Sequence, residues 1–431
     1  MTAIKCTDFF QLFVMKLAET TKDRVILAFY PFEANISTPT YVLIIMNGKD
    51  FDIRINSTHR VRFTRGAFDH SNRMLADLLA TNGHAKVLAF IDSGVAQAFP
   101  ELQDQVNSYL ECIAGISSKG VIVQMGGEEC KRDKNTLQDA WDAIEQAGID
   151  RHSYIICIGG GAYLDVVGLA AATAHRGIRL VRFPTTVLAQ DDSGVGVKNG
   201  INAYGKKNFL GTFAVPYAVV NDFSFLHGQP ENDRRSGIIE AVKVALVKDA
   251  TFYHWIEQNA EKLANLEPHV LEETVERSAL LHASHIAYGG DPFETGNSRP
   301  LDFGHWAAHK IEQLCDFQLS HANAVSVGLA LDTVYSWKTG RLEQASAMRV
   351  LRTLKKLELP TWHSSLDQRT EDGTRAVYLG LEEFREHLGG ELTVLLLRDL
   401  GKGEDVHSMD LNLLEECIDW LAAQTTLPSP F

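Results

Sequence analysis

Between Ile155 and Asn208 the chain reads IICIGGGAYLDVVGLAAATAHRGIRLVRFPTTVLAQDDSGVGVKNGINAYGKKN, and most of its recognisable chemistry is concentrated there. An apolar run ends in the glycines Gly159, Gly160 and Gly161, which reads as a buried strand turning directly into a helix. Glycines at such a turn let backbone N–H groups approach a pyrophosphate at the positive end of the helix. Behind them stand Arg176, Thr185, Thr186, Lys198, Lys207 and Asn208, together with Asp192, a density of anion-binding donors unusual in a chain of net charge -14. A cofactor phosphate and a substrate phosphate could both be held in this stretch. A second concentration lies further on. His305 and His309 are one helical turn apart in DFGHWAAHKIEQ, and His321 follows a short loop in LSHANAV. Three imidazoles plus a carboxylate from elsewhere make the composition of an open zinc site of the two-His, one-Glu kind, although spacing does not say which two histidines bind. The HxxxH pair lacks the glutamate of a HExxH protease, so peptide hydrolysis is not indicated. Glu240 and Lys243, three apart on an expected helix, are flanked by apolar residues in IIEAVKVAL. Burying two charges is costly, and a ligand or metal nearby would explain them.

The elements that must position these groups follow from periodicity. Residues 1–70 read as a small amino-terminal β extension, with VILAFY and then YVLIIM and KDFDIRI around the turn signal Asn47-Gly48. From about Ser71 helical stretches alternate with strand-like KVLAFID, GVIVQM and IICIGGG. That alternation implies right-handed crossovers and a parallel sheet covered on both faces, a Rossmann-like α/β domain over 71–221. Ligands of such sheets sit beyond the carboxyl ends of the strands, where Asp92 and the loop with Glu128 and Lys131 fall. After Asn221-Asp222 helical periodicity dominates, so residues 222–431 are expected to form an all-α metal-binding domain. LTVLLLRDLG (392–401) is the exception, an apolar run with the look of a late strand.

At 431 residues, 45% of them hydrophobic, the chain can bury a large core in two domains. Its acidity argues against nucleic-acid or anionic-membrane partners, which repel such a surface, and no run approaches the ~20 apolar residues that span a bilayer. The six cysteines are scattered with no CxxC pair, which fits a reducing compartment and an expected cytoplasmic location.

Taken in order, Glu128 to Lys131, the GGG with Asp165, HRG at Arg176, PTTVLAQ with Asp192-Ser193, Lys198, Lys207-Asn208, EAVK, DFGH and His321 resemble the 3-dehydroquinate synthase-like sugar-phosphate cyclases. The resemblance implies that Glu240, His305 and His321 bind Zn²⁺ or Co²⁺, with His309 in the substrate pocket. It implies NAD on Asp92, Glu128, Lys131, Gly160, Gly161, Asp165, Thr185 and Thr186. Lys198 and Asn208 would grip the substrate phosphate, Arg176 would reach the neighbouring subunit of a homodimer, and Asp192, Lys207 and Lys243 would orient the sugar. The family's chemistry is a transient oxidation, β-elimination of phosphate, re-reduction and aldol closure, with no net redox.

The chain also departs from that pattern. Dehydroquinate-forming enzymes bind a substrate carboxylate with a lysine where this chain has His282, and they carry asparagine where it has Asp302. Arg299 sits one place away from the expected arginine, in a longer loop, and paired lysines near the carboxyl end become Arg385-Glu386. A pocket that gains Asp and loses Lys binds a carboxylate less well. A carboxylate-free ketoheptose phosphate, sedoheptulose 7-phosphate, is therefore the expected substrate, closed to a C7 cyclitol as in valiolone-type synthases. The alternatives are dehydroquinate synthase, a metal-dependent NAD polyol dehydrogenase, and a non-catalytic NAD-binding protein.

Overall fold

Strands that are buried on both faces should show continuous apolar runs whose alternate residues enter two different cores. In the computed structural model this is what β4 (Ala85–Asp92) and β6 (Tyr154–Gly159) do. The structure describes residues 50–51, 55–79, 84–204, 206–293, 301–387 and 390–426, together with the backbone of two strands further upstream.

Those two strands, β1 (Val25–Pro31) and β2 (Tyr41–Asn47), form an antiparallel ribbon within the unit Met1–Ser57, with Val25 opposite Asn47. The strand paired with YVLIIMN is thus VILAFYP, whereas the sequence reading turned it at Asn47-Gly48 onto KDFDIRI. Two runs rich in β-branched and aromatic residues pair better than one such run with a charged segment. Residues 48–49 and 52–54 lie outside the described residues.

The unit Thr58–Phe431 contains a six-stranded sheet. Its strands are β3 (Val61–Thr64), β4 (Ala85–Asp92), β5 (Ile116–Gln124), β6 (Tyr154–Gly159), β7 (Arg179–Pro184) and β10 (Ala218–Asp222). The order is β3-β10-β7-β6-β4-β5 and every pairing is parallel. The edge strand β3 comes from upstream of residue 71. On β4, Val87, Ala89 and Ile91 enter the core shared with Leu75, Val106 and Leu110. Leu88 and Phe90 enter the opposite core with Ile144, Leu164 and Val167. Helices therefore cover both faces. From β4 the chain goes outward to β5, then crosses back to β6 and continues the other way to β7. The strand order reverses between β4 and β6, which opens a crevice at their carboxyl ends.

Between β7 and β10 a hairpin of β8 (Lys198–Ala203) and β9 (Lys206–Phe213) leaves the sheet. The carboxyl half is helical around one large core. Helix Ile239–Lys248 buries nine of its residues, Glu240 and Lys243 among them. The late strand is present as β11 (Val394–Asp399), paired with β12 (Lys402–Val406) and tied to helix His321–Lys338 by a bond from the Leu397 amide to Ser336 Oγ.

Candidate active site

The turn of DFGH fixes His305 at the start of helix His305–Leu314. Gly304 has φ +80°, and a Cβ there would lie 2.5 Å from the Leu329 amide, so only glycine fits against helix His321–Lys338. The facing residue is Gly328, whose Cβ would lie 2.0 Å from the Gly304 carbonyl. Asp332 on the same helix accepts from the Gly304 amide at 3.0 Å and from Trp306 Nε1 at 2.9 Å. Burial pushes this carboxyl up to about 7.

Three ligand-type atoms of Glu240, His305 and His321 lie within 4.8 Å of one another. His305 Nδ1 sits 3.2 Å from the Phe303 carbonyl and donates to it, which turns Nε2 toward Glu240 Oε1 at 3.9 Å. Burial, reinforced by Lys243, holds the His305 imidazole well below its usual value, so it is neutral with a lone pair to give. Glu240 is 1% exposed and forms an ion pair with Lys243 through Oε2. A buried carboxyl beside a neutral imidazole, with a second imidazole in reach, fits a divalent cation. His309 joins the same cluster, its ring centroid 5.5 Å from that of His305 and 5.8 Å from that of His321.

Lys243 also reaches Asp192 Oδ2 at 3.5 Å, and His282 Nδ1 pairs with Asp192 Oδ1. Burial alone would raise the Asp192 carboxyl. Lys243 and His282 reverse this and hold it well below the usual range, so it is ionised. Asp192 sits on a π-helical turn, Ala189–Ser193, which Gln190 locks by donating to the carbonyls of Pro184 and Asp222. Such turns re-aim side chains, here toward Lys243 and His282.

Lys207 and Asn208 on β9 tie the two halves of the cleft together. Lys207 Nζ is 2.6 Å from Glu312 Oε1, whose other oxygen lies 3.0 Å from His321 Nδ1. Asn208, at φ 51°, accepts at 2.9 Å from Lys131 Nζ, which is 2.5 Å from Asp165. Burial would lower Lys131, but Asp165 and Glu128 overcome it and keep the ammonium charged. Asn202 links the Asn208 amide to Glu128, at 2.9 and 3.2 Å.

At the strand reversal, Asp92 ends β4 and caps the following helix through the Gly94 amide at 2.8 Å. A Cβ on Gly126 would fall 2.0 Å from its carboxyl carbon, so the β5 loop needs glycine to pass. Gly160 caps helix Gly161–Thr173 at the end of β6. Gly161 packs on Ser193, next to Asp192, so the glycine turn and the metal cluster meet through this segment. The buried Thr185 hydroxyl has no partner among the described residues, whereas Thr186 Oγ1 accepts from the Ala189 amide at 3.1 Å. Lys198 opens β8 on its exposed side, and Asp302 precedes the DFGH turn, its carbonyl accepting from the His305 amide at 3.0 Å. Arg176 stands apart. It follows helix Gly161–Thr173 at the end remote from the glycines, roughly 20 Å away at 1.5 Å per residue. Arg299 lies outside the described residues.

Sequence reading misses Glu312, Asp332 and Asn202. Glu312 had a signal, since it falls seven residues after His305 and three after His309, on one helical face. Asp332 had another, a lone carboxylate in the apolar run GLALDTV.

Comparison with known proteins places this arrangement. Residues 121–236 match the family described as 3-dehydroquinate synthase N-terminal, and residues 237–377 match 3-dehydroquinate synthase C-terminal. The chloroplastic 3-dehydroquinate synthase of Arabidopsis thaliana is 31% identical over 331 residues, 76% of this chain and 71% of that protein. The chain belongs to the 3-dehydroquinate synthase-like sugar-phosphate cyclases. Among solved structures, 2-epi-5-epi-valiolone synthase from Streptomyces hygroscopicus subsp. jinggangensis 5008, with NAD+ and Zn2+ bound, resembles this cyclase with TM-score 0.77 and 27% identity, over 87% of this chain and 100% of that one. A 2-deoxy-scyllo-inosose synthase complexed with carbaglucose-6-phosphate, NAD+ and Co2+ shares the fold, at TM-score 0.68 and 22% identity over 83% of this chain and 95% of that one.

Proposed function

We propose that this cyclase converts sedoheptulose 7-phosphate to a C7 cyclitol with loss of phosphate, using NAD and a divalent metal, Zn²⁺ or Co²⁺. The supporting observation is the Asp192 environment. His282, which stands in place of the lysine of dehydroquinate-forming relatives, is engaged with Asp192 instead of being left for a substrate carboxylate. The likeness to a valiolone synthase points the same way.

In this reading Glu240, His305 and His321 hold the metal. Asp92, Glu128, Lys131, Gly160, Gly161, Asp165, Thr185 and Thr186 line the NAD site at the strand reversal. Bound NAD supplies hydride transfer and the bound metal supplies Lewis-acid polarisation of a sugar oxygen. Lys198 and Asn208 receive the phosphate. Asp192, kept ionised by Lys243 and His282, accepts hydrogen bonds from ring hydroxyls, while His309 borders the reacting carbons and Lys207 and Lys243 neutralise charge as phosphate departs. Asp302 makes the pocket hostile to a carboxylate. Arg176 serves the site of a second subunit in a homodimer. Residues 71–221 and 222–431 act as the NAD and the metal domains.

Dehydroquinate synthesis is the second reading, favoured by the family matches and the Arabidopsis relative. The test offers sedoheptulose 7-phosphate and, separately, the carboxylated heptulosonate phosphate, each with NAD and Zn²⁺ or Co²⁺. Phosphate release from the first alone, without accumulating NADH, is expected, with the product read by NMR. Release from the second alone overturns the proposal in favour of dehydroquinate synthesis, and stoichiometric NADH makes the protein a dehydrogenase.

A further inference from the structure

The two histidines assigned to the metal differ in how their rings are held. His305 is pinned by a backbone carbonyl, a group that mutation cannot remove. His321 is the first residue of its helix, and the partner of its Nδ1 is the carboxylate of Glu312 at 3.0 Å. Glu312 is 3% exposed, so this carboxylate cannot be replaced by water at little cost. Its second oxygen is occupied by Lys207 Nζ at 2.6 Å.

We propose that Glu312 is a positioning residue with two duties: it fixes the tautomer of His321 so that Nε2 is the metal-binding atom, and it parks the Lys207 ammonium at the border of the substrate pocket. This rests on the reading of Glu240, His305 and His321 as the metal site. With Nδ1–H donated to Glu312, Nε2 is the nitrogen left to face the metal, as it is in His305. Without Glu312 the ring is free to rotate and to carry its proton on either nitrogen, and only a fraction of molecules present the ligand correctly. Partners of this kind change metal affinity about 10–100-fold when removed. The rival role is direct ligation, because His309, Glu312 and His321 also have ligand atoms within 4.8 Å of one another. Both oxygens of Glu312 are already engaged, one of them by an ammonium, which disfavours a second cation there.

The full-length chain, freed of metal by a chelator, is titrated with Co²⁺, following the d–d absorption bands and the histidine ¹⁵N shifts. Three variants accompany it: Glu312→Ala, Glu312→Gln and Lys207→Met. Glu312→Ala should weaken Co²⁺ about 10–100-fold with the same band pattern once saturated. Before metal is added, one histidine should move from the Nδ1–H to a mixed ¹⁵N pattern. Lys207→Met should bind Co²⁺ nearly as wild type does. Should Glu312→Ala fail to fold, Glu312→Gln, which keeps the shape, is expected to weaken Co²⁺ by a smaller factor. Unchanged affinity and ¹⁵N pattern in the folded Glu312 variants would overturn the proposal. So would a changed d–d spectrum at saturation, which would make Glu312 a ligand. Wild-type chain that binds no Co²⁺ would instead overturn the metal-site reading itself.

Discussion

Asp332 offers a quantitative test of how the DFGH turn is held. Its carboxyl is fully buried, and burial lifts it from 3.8 to about 7 although two donors point at it. In the unfolded chain the group ionises near 3.8, so between that value and 7 the folded state holds a proton that the unfolded state has released. Stability contributed by this proton is complete below the unfolded value and is lost as pH rises through the folded one. From about pH 5.5 to about pH 8.5 the wild-type chain crosses roughly 1.5 units of that window, a loss of about 2 kcal/mol at 1.36 kcal/mol per unit. Asp332→Asn cannot ionise. Its amide forfeits one acceptor, but that cost does not depend on pH and cancels in the comparison. For 431 residues at about 2.1 cal/mol/K each, 2 kcal/mol corresponds to roughly 2 °C in Tm. Thermal melts of both proteins at the two pH values should therefore show the wild type falling about 2 °C further than Asp332→Asn. Parallel pH dependence in the two would mean that the donors of Gly304 and Trp306 already outweigh burial and keep Asp332 charged, and the argument would be wrong.

Three further outcomes follow from the same packing. Gly304→Ala must adopt φ +80° and crowd the Leu329 backbone, so a loss of about 2–5 kcal/mol is expected from conformational strain plus overpacking; a melt within 1 °C of wild type would contradict the fit. Lys131→Met strands the Asp165 carboxylate, which is only 17% exposed, and should cost about 3 kcal/mol, most of it recovered by adding Asp165→Asn in a double-mutant cycle. Asp191 is 1% exposed with neither carboxyl oxygen hydrogen-bonded, and burial, then Asp192 and Glu240, push it well above the usual range. Asp191→Val should accordingly raise stability by about 1–3 kcal/mol at neutral pH, and a destabilised variant would show that the carboxyl has a partner after all.

Strands β4 and β6 were legible because a strand buried on both faces leaves a continuous apolar run, and the glycines at the end of β6 mark the turn from which backbone donors emerge. Asn47-Gly48 is a strong local hairpin signal, and β2 pairs with the strand before it, while most of the segment after the turn lies outside the described residues. A turn signal states that a chain can reverse there, and pairing is decided by which neighbour offers the better surface. The edge strand β3, VRFT, escaped for the opposite reason: four residues with a charge among them carry no period to detect.

The site divides in the same way. Histidines at 305, 309 and 321 stand out by type and spacing, but what each ring nitrogen does depends on a carbonyl at 303 and a carboxylate at 312, neither of which announces itself as a partner. The neighbours Asp191 and Asp192 make the limit plain. They are chemically identical and adjacent, yet Asp192 leaves the π-helical turn into the cleft, where Lys243 and His282 keep it ionised. Asp191 is fully buried in the same turn, and its backbone carbonyl is fastened to helix Pro268–Tyr288 by Ser278 Oγ at 3.0 Å. No propensity distinguishes two successive aspartates. The difference arises because each residue of a helical turn faces a new direction, and the fold puts Lys243 and His282 in one of those directions and, among the described residues, no hydrogen-bond partner in the other.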